Sequence, residues 1–324
     1  MTSAEQRPLR SDPAPEDVVP PIQEARTGAH RSTTGLVVRG MRPRQWIKNL
    51  LVFMAPAAAG VLGDWHTAAR VVAAFFVFCA VASGTYLVND VIDAASDRIH
   101  PTKRLRPVAS GELAPGVAVL AGCALIGLGI AGALLVGPWG LAVVVASYVA
   151  LSLAYSLRLK REPVMELAVV ASCFVLRAVA GGVVAQVHLS SWFLVFTSFA
   201  ALFVVTGKRC AEHARLGDVR GAHRPVLDEY SESFLKSTLT IAATVTVASY
   251  CLWAFERTGL LAHAGHHVVW IELTVIPLVL AVLHIFRLLD AGRGGEPEEL
   301  ALHDHVLQGY GVLWAILMGI GLYA

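Results

Sequence analysis

Charge is scarce in this chain. Asp, Glu, Lys and Arg fill 15% of its 324 positions, where a soluble domain carries about a quarter. Hydrophobic residues fill 56%, more than a water-soluble fold can bury, so a soluble globular class is excluded. Paired cysteines are lacking too. Cys79, Cys123, Cys173, Cys210 and Cys251 show no CxxC spacing, which argues against a zinc site or disulfide framework and leaves them as small apolar fillers. The apolar runs lack the strict alternation of a membrane barrel, so helices are favoured. The first 40 residues hold no apolar core stretch, and no cleavable signal is expected. With Pro8, Pro13, Pro15, Pro20 and Pro21 set among Arg, Glu and Asp, residues 1–40 read as a disordered tail.

What is present is a succession of apolar runs of bilayer length. A hydrocarbon core of about 30 Å needs roughly 20 helical residues. Nine candidate spans are expected at 49–65, 68–88, 117–136, 139–157, 163–187, 190–207, 237–256, 268–287 and 306–324. The fold class is therefore all-α, a polytopic membrane bundle over residues 41–324. Lys and Arg are distributed very unevenly. Of 26, only Arg70 and Arg257 fall on one face and Arg177 within a span; the other 23 lie in the N-terminal segment and the loops after even-numbered spans. That asymmetry places the N-terminus and those loops in the cytoplasm of a multi-pass plasma-membrane protein.

Against this background NDVIDAASDRIHPTKRLRP, residues 89–107, is conspicuous. If the second span continues as a helix, Asp90, Asp93 and Asp97 stand at i, i+3 and i+7, within an arc of about 60°, flanked by Asn89. Like charges on one stripe repel, and Mg²⁺, which takes oxygen ligands and is commonly shared between carboxylates and substrate phosphates, is the natural remedy. Lys103, Arg104 and Arg106 follow, broken from the helix by Pro101 and Pro107. Carboxylates alone suit a cation pathway; carboxylates with a basic turn suit a polyphosphate.

Other charges lie at or inside the membrane. The first span offers only about 14 apolar residues, short of the roughly 17–25 usual, which puts Arg44, Gln45, Lys48 and Asn49 at headgroup depth, facing a cavity or serving as interfacial anchors. Tyr155 and Lys160 belong to a second basic patch, YSLRLKREPVMEL, that topology alone would explain. Arg177 sits mid-span, costs at least about 2.5–3.5 kcal/mol there, and needs a carboxylate, a carbonyl cluster or a ligand anion. Lys208, Arg209 and Glu212 begin the long loop after the sixth span, where Lys208 and Glu212 have pairing distance at i, i+4. His263, His266 and His267 form HAGHH, whose spacing suits a polar loop better than a metal site.

The motif NDxxDxxxD formed by Asn89, Asp90, Asp93 and Asp97 resembles the signature of the UbiA prenyltransferase superfamily. With RPRQWIKN, HPTKRLRP, YSLRLKREPVMEL, FVLRAVAGG, GKRCAEHARL, HRPVLDEYS and EPEELALHDHVLQ, the chain is similar, from about 41 to 310, to the branch that transfers phosphoribosyl to decaprenyl phosphate. The resemblance implies nine transmembrane helices and an Mg²⁺-dependent transferase. Its donor would be 5-phosphoribosyl 1-diphosphate, its acceptor a polyprenyl phosphate lipid, and its product a precursor of actinobacterial cell-wall arabinan. It implies Asp90, Asp93, Asp97 and Asn89 on the metal, and Lys103, Arg104, Arg106, Lys208 and Arg209 on donor phosphates. Lys48 and Arg44 would lie on the acceptor phosphate, with Gln45, Asn49, Tyr155, Lys160, Arg177 and Glu212 also at the substrate. The second DxxxD usual after span 6 is replaced by KRCAEHARLGD, which favours this branch over aromatic-acceptor prenyltransferases. A prenyl transfer to a small acceptor and a cation-coupled transporter are the rival functions. Membrane lipids are expected partners, nucleic acid is not, and a homo-oligomer is left open.

Overall fold

A bilayer core offers no water to backbone N–H and C=O groups, so the chain must bond them itself. The computed structural model describes residues 32–216, 225–262, 269–291, 300 and 303–323, and no strand occurs among them. Helix α1 (Thr33–Met41) leads into a 3-10 segment, Pro43–Phe53, and the short α2 (Met54–Ala59). Then come α3 (Trp65–Ile92), α4 (Ala94–Ile99), α5 (Pro115–Val136), α6 (Trp139–Leu157), α7 (Met165–Ala185) and α8 (Ser191–Leu216). The remainder is α9 (Glu232–Ala262), α10 (Val269–Leu273), α11 (Val275–Asp290) and α12 (His305–Tyr323).

Eight helical spans among the described residues are long and apolar enough to cross a membrane, with α10 and α11 counted as one. They match the second to ninth expected spans. The expected first span, 49–65, is instead the 3-10 segment followed by α2. The expected tail also ends sooner than residue 40. Thr33–Met41 is helical because Leu36 has a site to fill, packing with Leu87, Val108 and Leu113. HAGHH and the loop residues 217–224 lie outside the described residues, as does the stretch 1–31.

The 3-10 segment governs how the site is built. At three residues per turn, side chains at i and i+3 eclipse, so Trp46, Asn49 and Val52 form one row. Trp46 Nε1 donates to Ser83 Oγ at 3.0 Å and Asn49 Nδ2 to Cys79 Sγ at 3.3 Å, both on α3. Val52 is fully buried in the main core with Phe78 of α3, Tyr148 of α6 and Ala180 of α7. The row approaches α7 closely only because position 181 is glycine: a Cβ there would stand 1.8 Å from the Val52 carbonyl oxygen. A second close approach joins α3 to α5, where a Cβ on Gly84 would meet the Gly122 carbonyl at 2.6 Å.

Helix ends are fixed locally. Asp64 accepts from the Thr67 N–H at 2.8 Å to start α3, and Asp304 accepts from the Leu307 N–H at 2.9 Å to start α12. The Leu307 N–H, with His284, holds the Asp304 carboxyl below the usual carboxylate range. The break between α10 and α11 falls at Thr274, whose hydroxyl meets Tyr250 Oη at 2.6 Å; Trp314 Nε1 donates to the same Tyr250 oxygen at 2.6 Å.

Replacing Gly181 by alanine forces the Val52 backbone away from α7. The expected loss is about 1–3 kcal/mol, the usual cost of overpacking, read as a lowered unfolding temperature of the detergent-solubilised protein. An unchanged temperature would show that the segment can shift freely.

Candidate active site

Asp90 lies on the last turn of α3 and is 1% exposed. Its Oδ1 accepts from Arg42 Nη2 and stands 3.4 Å from Arg106 Nη1; its Oδ2 is buried with no hydrogen-bond partner. Asp97 on α4, 3% exposed, accepts from the same Arg106 Nη1 at 2.5 Å. Asp93 is the single residue between α3 and α4, and its Oδ1 pairs with Lys160. The three carboxylates therefore fasten three otherwise remote segments to one helix end.

The helix does run on almost unbroken past Asn89, since Asp97 N–H reaches the Asp93 carbonyl at 2.8 Å. The carboxylates of Asp90, Asp93 and Asp97 do not converge on one another. Among the described residues no three His, Cys, Asp or Glu side chains converge on one point. Asp90 and Asp97 share Arg106 while Asp93 turns to Lys160, because neighbouring cations neutralise the stripe pairwise. What remains suits a hard divalent ion shared between one or two carboxylates and a substrate. The orphaned Oδ2 of Asp90 is an acceptor of that kind, and the adjacent Asn89 faces the cavity beneath.

That cavity has a volume of about 240 Å³. Arg42, Lys48, Asn89 and Arg177 stand on its wall with Thr85, Tyr86, Tyr148, Ser152, Tyr155 and Ser156, and Val169, Val170, Cys173 and Phe174 complete it. Arg177 is 3% exposed and donates three ways: Nε to Asn49 Oδ1 at 2.8 Å, Nη1 to the Cys173 carbonyl at 2.5 Å, Nη2 to Tyr148 Oη at 3.0 Å. The Tyr148 and Phe174 rings lie 4.7 and 5.7 Å from its guanidinium carbon. Asn49, expected at the substrate, is instead buried behind Arg177 and orients it. A second cleft of about 240 Å³, bordered by Arg39, Arg42, Asp90 and Arg106, opens beside the aspartates.

Arg42 was not among the expected site residues, yet it hydrogen-bonds Asp90, with Arg106 as the second cation there. It adopts φ 53° and ψ 63°, a left-handed conformation unusual for arginine, immediately before Pro43. Its guanidinium carbon lies 5.1 Å from the centre of the Tyr86 ring. Burial draws its pKa below the ordinary arginine value, with the Asp90 charge pushing the other way. Arg44 is exposed and Gln45 half-buried, and neither borders the cavity. Lys103 and Arg104 sit on the 3-10 turn Lys103–Leu105, outside the cavity wall.

Two expectations for α8 are corrected. Arg209 does not reach the cavity: Nε and Nη2 donate to both oxygens of Glu166 at 2.8 and 2.9 Å, and Nη1 donates to Glu212 at 2.8 Å. Glu166, at 0% exposure on the first turn of α7, requires such a partner. Lys208 borders a separate apolar cavity of about 410 Å³ with Phe203, Leu289 and Leu307.

Residues 50–307 match the UbiA prenyltransferase family. The chain belongs to that family. This UbiA-family chain is 41% identical over 307 residues to decaprenyl-phosphate phosphoribosyltransferase of Mycolicibacterium smegmatis, covering 91% of this chain and 95% of that protein. It is 42% identical over 287 residues to the Mycobacterium tuberculosis enzyme of the same name, covering 87% and 93%. A UbiA homologue from Archaeoglobus fulgidus, solved with GPP and Mg²⁺, superposes with a TM-score of 0.64 at 18% identity, covering 88% of this chain and 98% of that one. At that identity the likeness is one of fold.

The Arg209–Glu166 pair predicts a stability effect separable from substrate binding. Arg209→Met strands a buried carboxylate and should cost about 3–5 kcal/mol, whereas Glu166→Leu with Arg209→Met should recover most of that. Thermal unfolding of the three variants in detergent checks this. A single variant that unfolds like wild type would return Arg209 to the list of substrate ligands.

Proposed function

We propose that this protein transfers 5-phosphoribosyl from 5-phosphoribosyl 1-diphosphate to a long-chain polyprenyl phosphate such as decaprenyl phosphate, releasing diphosphate. The observation that carries the reading is the density of cations around the aspartates. Arg42, Arg106 and Lys160 arrive on three different segments and each meets a carboxylate. The cavity beside them carries Lys48 and Arg177 as well as Arg42, among hydroxyl-bearing residues and the apolar Val169, Val170 and Phe174. A prenyl diphosphate donor with an aromatic acceptor needs cations at one diphosphate; two phosphorylated substrates need them at more than one place. The relatives' shared name points the same way.

The reaction forms a bond between an acceptor phosphate oxygen and the anomeric carbon and breaks the bond from that carbon to the diphosphate. Asp90 and Asn89, with Asp93 alongside, would hold Mg²⁺. When bound, the ion neutralises charge that accumulates on the leaving diphosphate. Arg106 and Arg42 flank the same position and add charge-assisted donors there. Asp97 orients Arg106 through its 2.5 Å contact. Lys48, at the cavity wall, steers the acceptor phosphate toward the anomeric carbon. That phosphate is anionic at neutral pH, so no general base is needed, and positioning with electrostatics supplies the rate. Displacement proceeds with inversion through an oxocarbenium-like state. The distribution of Lys and Arg puts this mouth and the N-terminus on the cytoplasmic side.

Membranes containing the protein, given labelled 5-phosphoribosyl 1-diphosphate and polyprenyl phosphate, should form a lipid-extractable labelled product only with Mg²⁺. Asp90→Asn should lower the rate by more than about 100-fold and also lower the unfolding temperature, because Arg42 loses its buried counter-charge. Product formed instead from a prenyl diphosphate and a small aromatic acceptor would replace this reading with the prenyl-transfer one.

A further inference from the structure

Two arginines are buried in the bundle, and the protein treats them differently. Arg209 has both oxygens of Glu166 and one of Glu212. Arg177 has an amide oxygen, a phenol and a main-chain carbonyl, all neutral. No carboxylate among the described residues pairs with it, although a buried cation without a counter-charge is costly. A guanidinium carries five N–H donors, and three are placed on these partners, leaving two. The same residue borders the cavity that reaches up to Asn89, next to the orphaned Oδ2 of Asp90. The wall also carries Tyr86, Ser152 and Tyr155, together with the apolar Val169, Val170 and Phe174.

A cavity lined by Arg177 and, on other segments, by Arg42, Lys48 and Asn89, with Asp90 next to Asn89 in the chain, offers separate cationic places for the two phosphorylated ends of a sugar phosphate diphosphate. The end lined by Arg177 is its floor. We propose that the floor is a phosphate-monoester subsite in which Arg177 takes the 5-phosphate of the donor. This assignment rests on the phosphoribosyl-transfer reading. The ribose then lies among the hydroxyls, and its anomeric carbon and diphosphate face Asp90. Asn49 is a positioning residue: its Nδ2 is committed to Cys79, which turns its oxygen to Arg177 Nε. Charge at the floor also selects against other donors. An isoprenyl chain entering the cavity would lay apolar carbon against an unneutralised guanidinium, so a prenyl diphosphate is disfavoured by this one residue.

Phosphate at Arg177 has two sources, the donor's 5-phosphate and the acceptor's headgroup, and the experiment separates them. The full-length protein in proteoliposomes is assayed with 5-phosphoribosyl 1-diphosphate and with ribosyl 1-diphosphate, which lacks only the 5-phosphate. Wild type should prefer the first by about 100-fold or more in kcat/KM, as expected when a buried charged donor group is left unmatched. Arg177→Gln should bring that preference close to unity with the KM for polyprenyl phosphate unchanged, and Arg177→Lys should fall between. A variant that loses rate but keeps the preference would reduce Arg177 to a structural role and overturn the proposal. A selective rise in the KM for polyprenyl phosphate would overturn it too, by assigning the floor to the acceptor. Binding of ribose 5-phosphate, measured by calorimetry, supplies a readout independent of turnover. Wild type should bind it in competition with the donor, and Arg177→Lys should bind it more weakly; no binding to wild type overturns the subsite. If wild type makes no ribosylated lipid from either donor, the phosphoribosyl-transfer reading fails, and the calorimetry still decides whether the floor holds a phosphate.

Discussion

The buried carboxylate of Asp90 is the point on which the mouth of the bundle depends. A charge with 1% exposure has to be answered by other charges. The answers come from Arg42, before the 3-10 segment, and from Arg106, in the loop after α4. Asp93 adds Lys160 from the turn between α6 and α7. These ion pairs act beside the apolar contacts of Leu36 and Val108 with Leu87, which bring the segments of Arg42 and Arg106 to the same helix end. The order of the ring around the site follows from which cation each aspartate accepts.

Deeper in the bundle the problem is inverted, because the buried charge is positive. Where the chain intends a structural cation it supplies a carboxylate, as for Arg209 with Glu166. Arg177 receives only neutral dipoles and two aromatic faces. Such a group keeps an attractive potential for anions inside the cavity, strengthened by the low dielectric around it. The archaeal relative shares the fold at 18% identity, so the helical frame by itself does not set the chemistry. The side chains lining the cavity do, and here Arg42, Lys48 and Arg177 stand among tyrosines, serines and the apolar Val169, Val170 and Phe174.

Much of this was legible in the sequence. Run length and composition located the long spans, since burial of backbone in lipid leaves little choice of structure. The heptad-like spacing of Asp90, Asp93 and Asp97 placed them on one side of a helix end, where Asp90 and Asp97 indeed share a partner. The failures have physical causes. Helical periodicity assumes 3.6 residues per turn, so the row of Trp46, Asn49 and Val52 in a 3-10 segment was invisible. Arg42 reaches Asp90 from a left-handed backbone that spacing arguments do not anticipate. Glu166 and Arg209 lie 43 positions apart, and a pairing at that range depends on how α7 and α8 pack. Leu36 falls within the expected tail because the apolar run 36–38 is too short to signal a helix until its contact with Leu87 is known.

The 3-10 winding of Pro43–Phe53 also changes what length means at the start of the bundle. An α-helix rises about 1.5 Å per residue and a 3-10 helix about 2.0 Å. Eleven residues in the tighter winding, followed by six in α2, therefore reach about 31 Å, close to the hydrocarbon thickness of a bilayer. The apparent deficit of apolar residues in the first crossing is a matter of pitch. By stretching fewer residues over a given depth, the winding brings Asn49, polar and 1% exposed, to Cys79 and Arg177 inside the bundle.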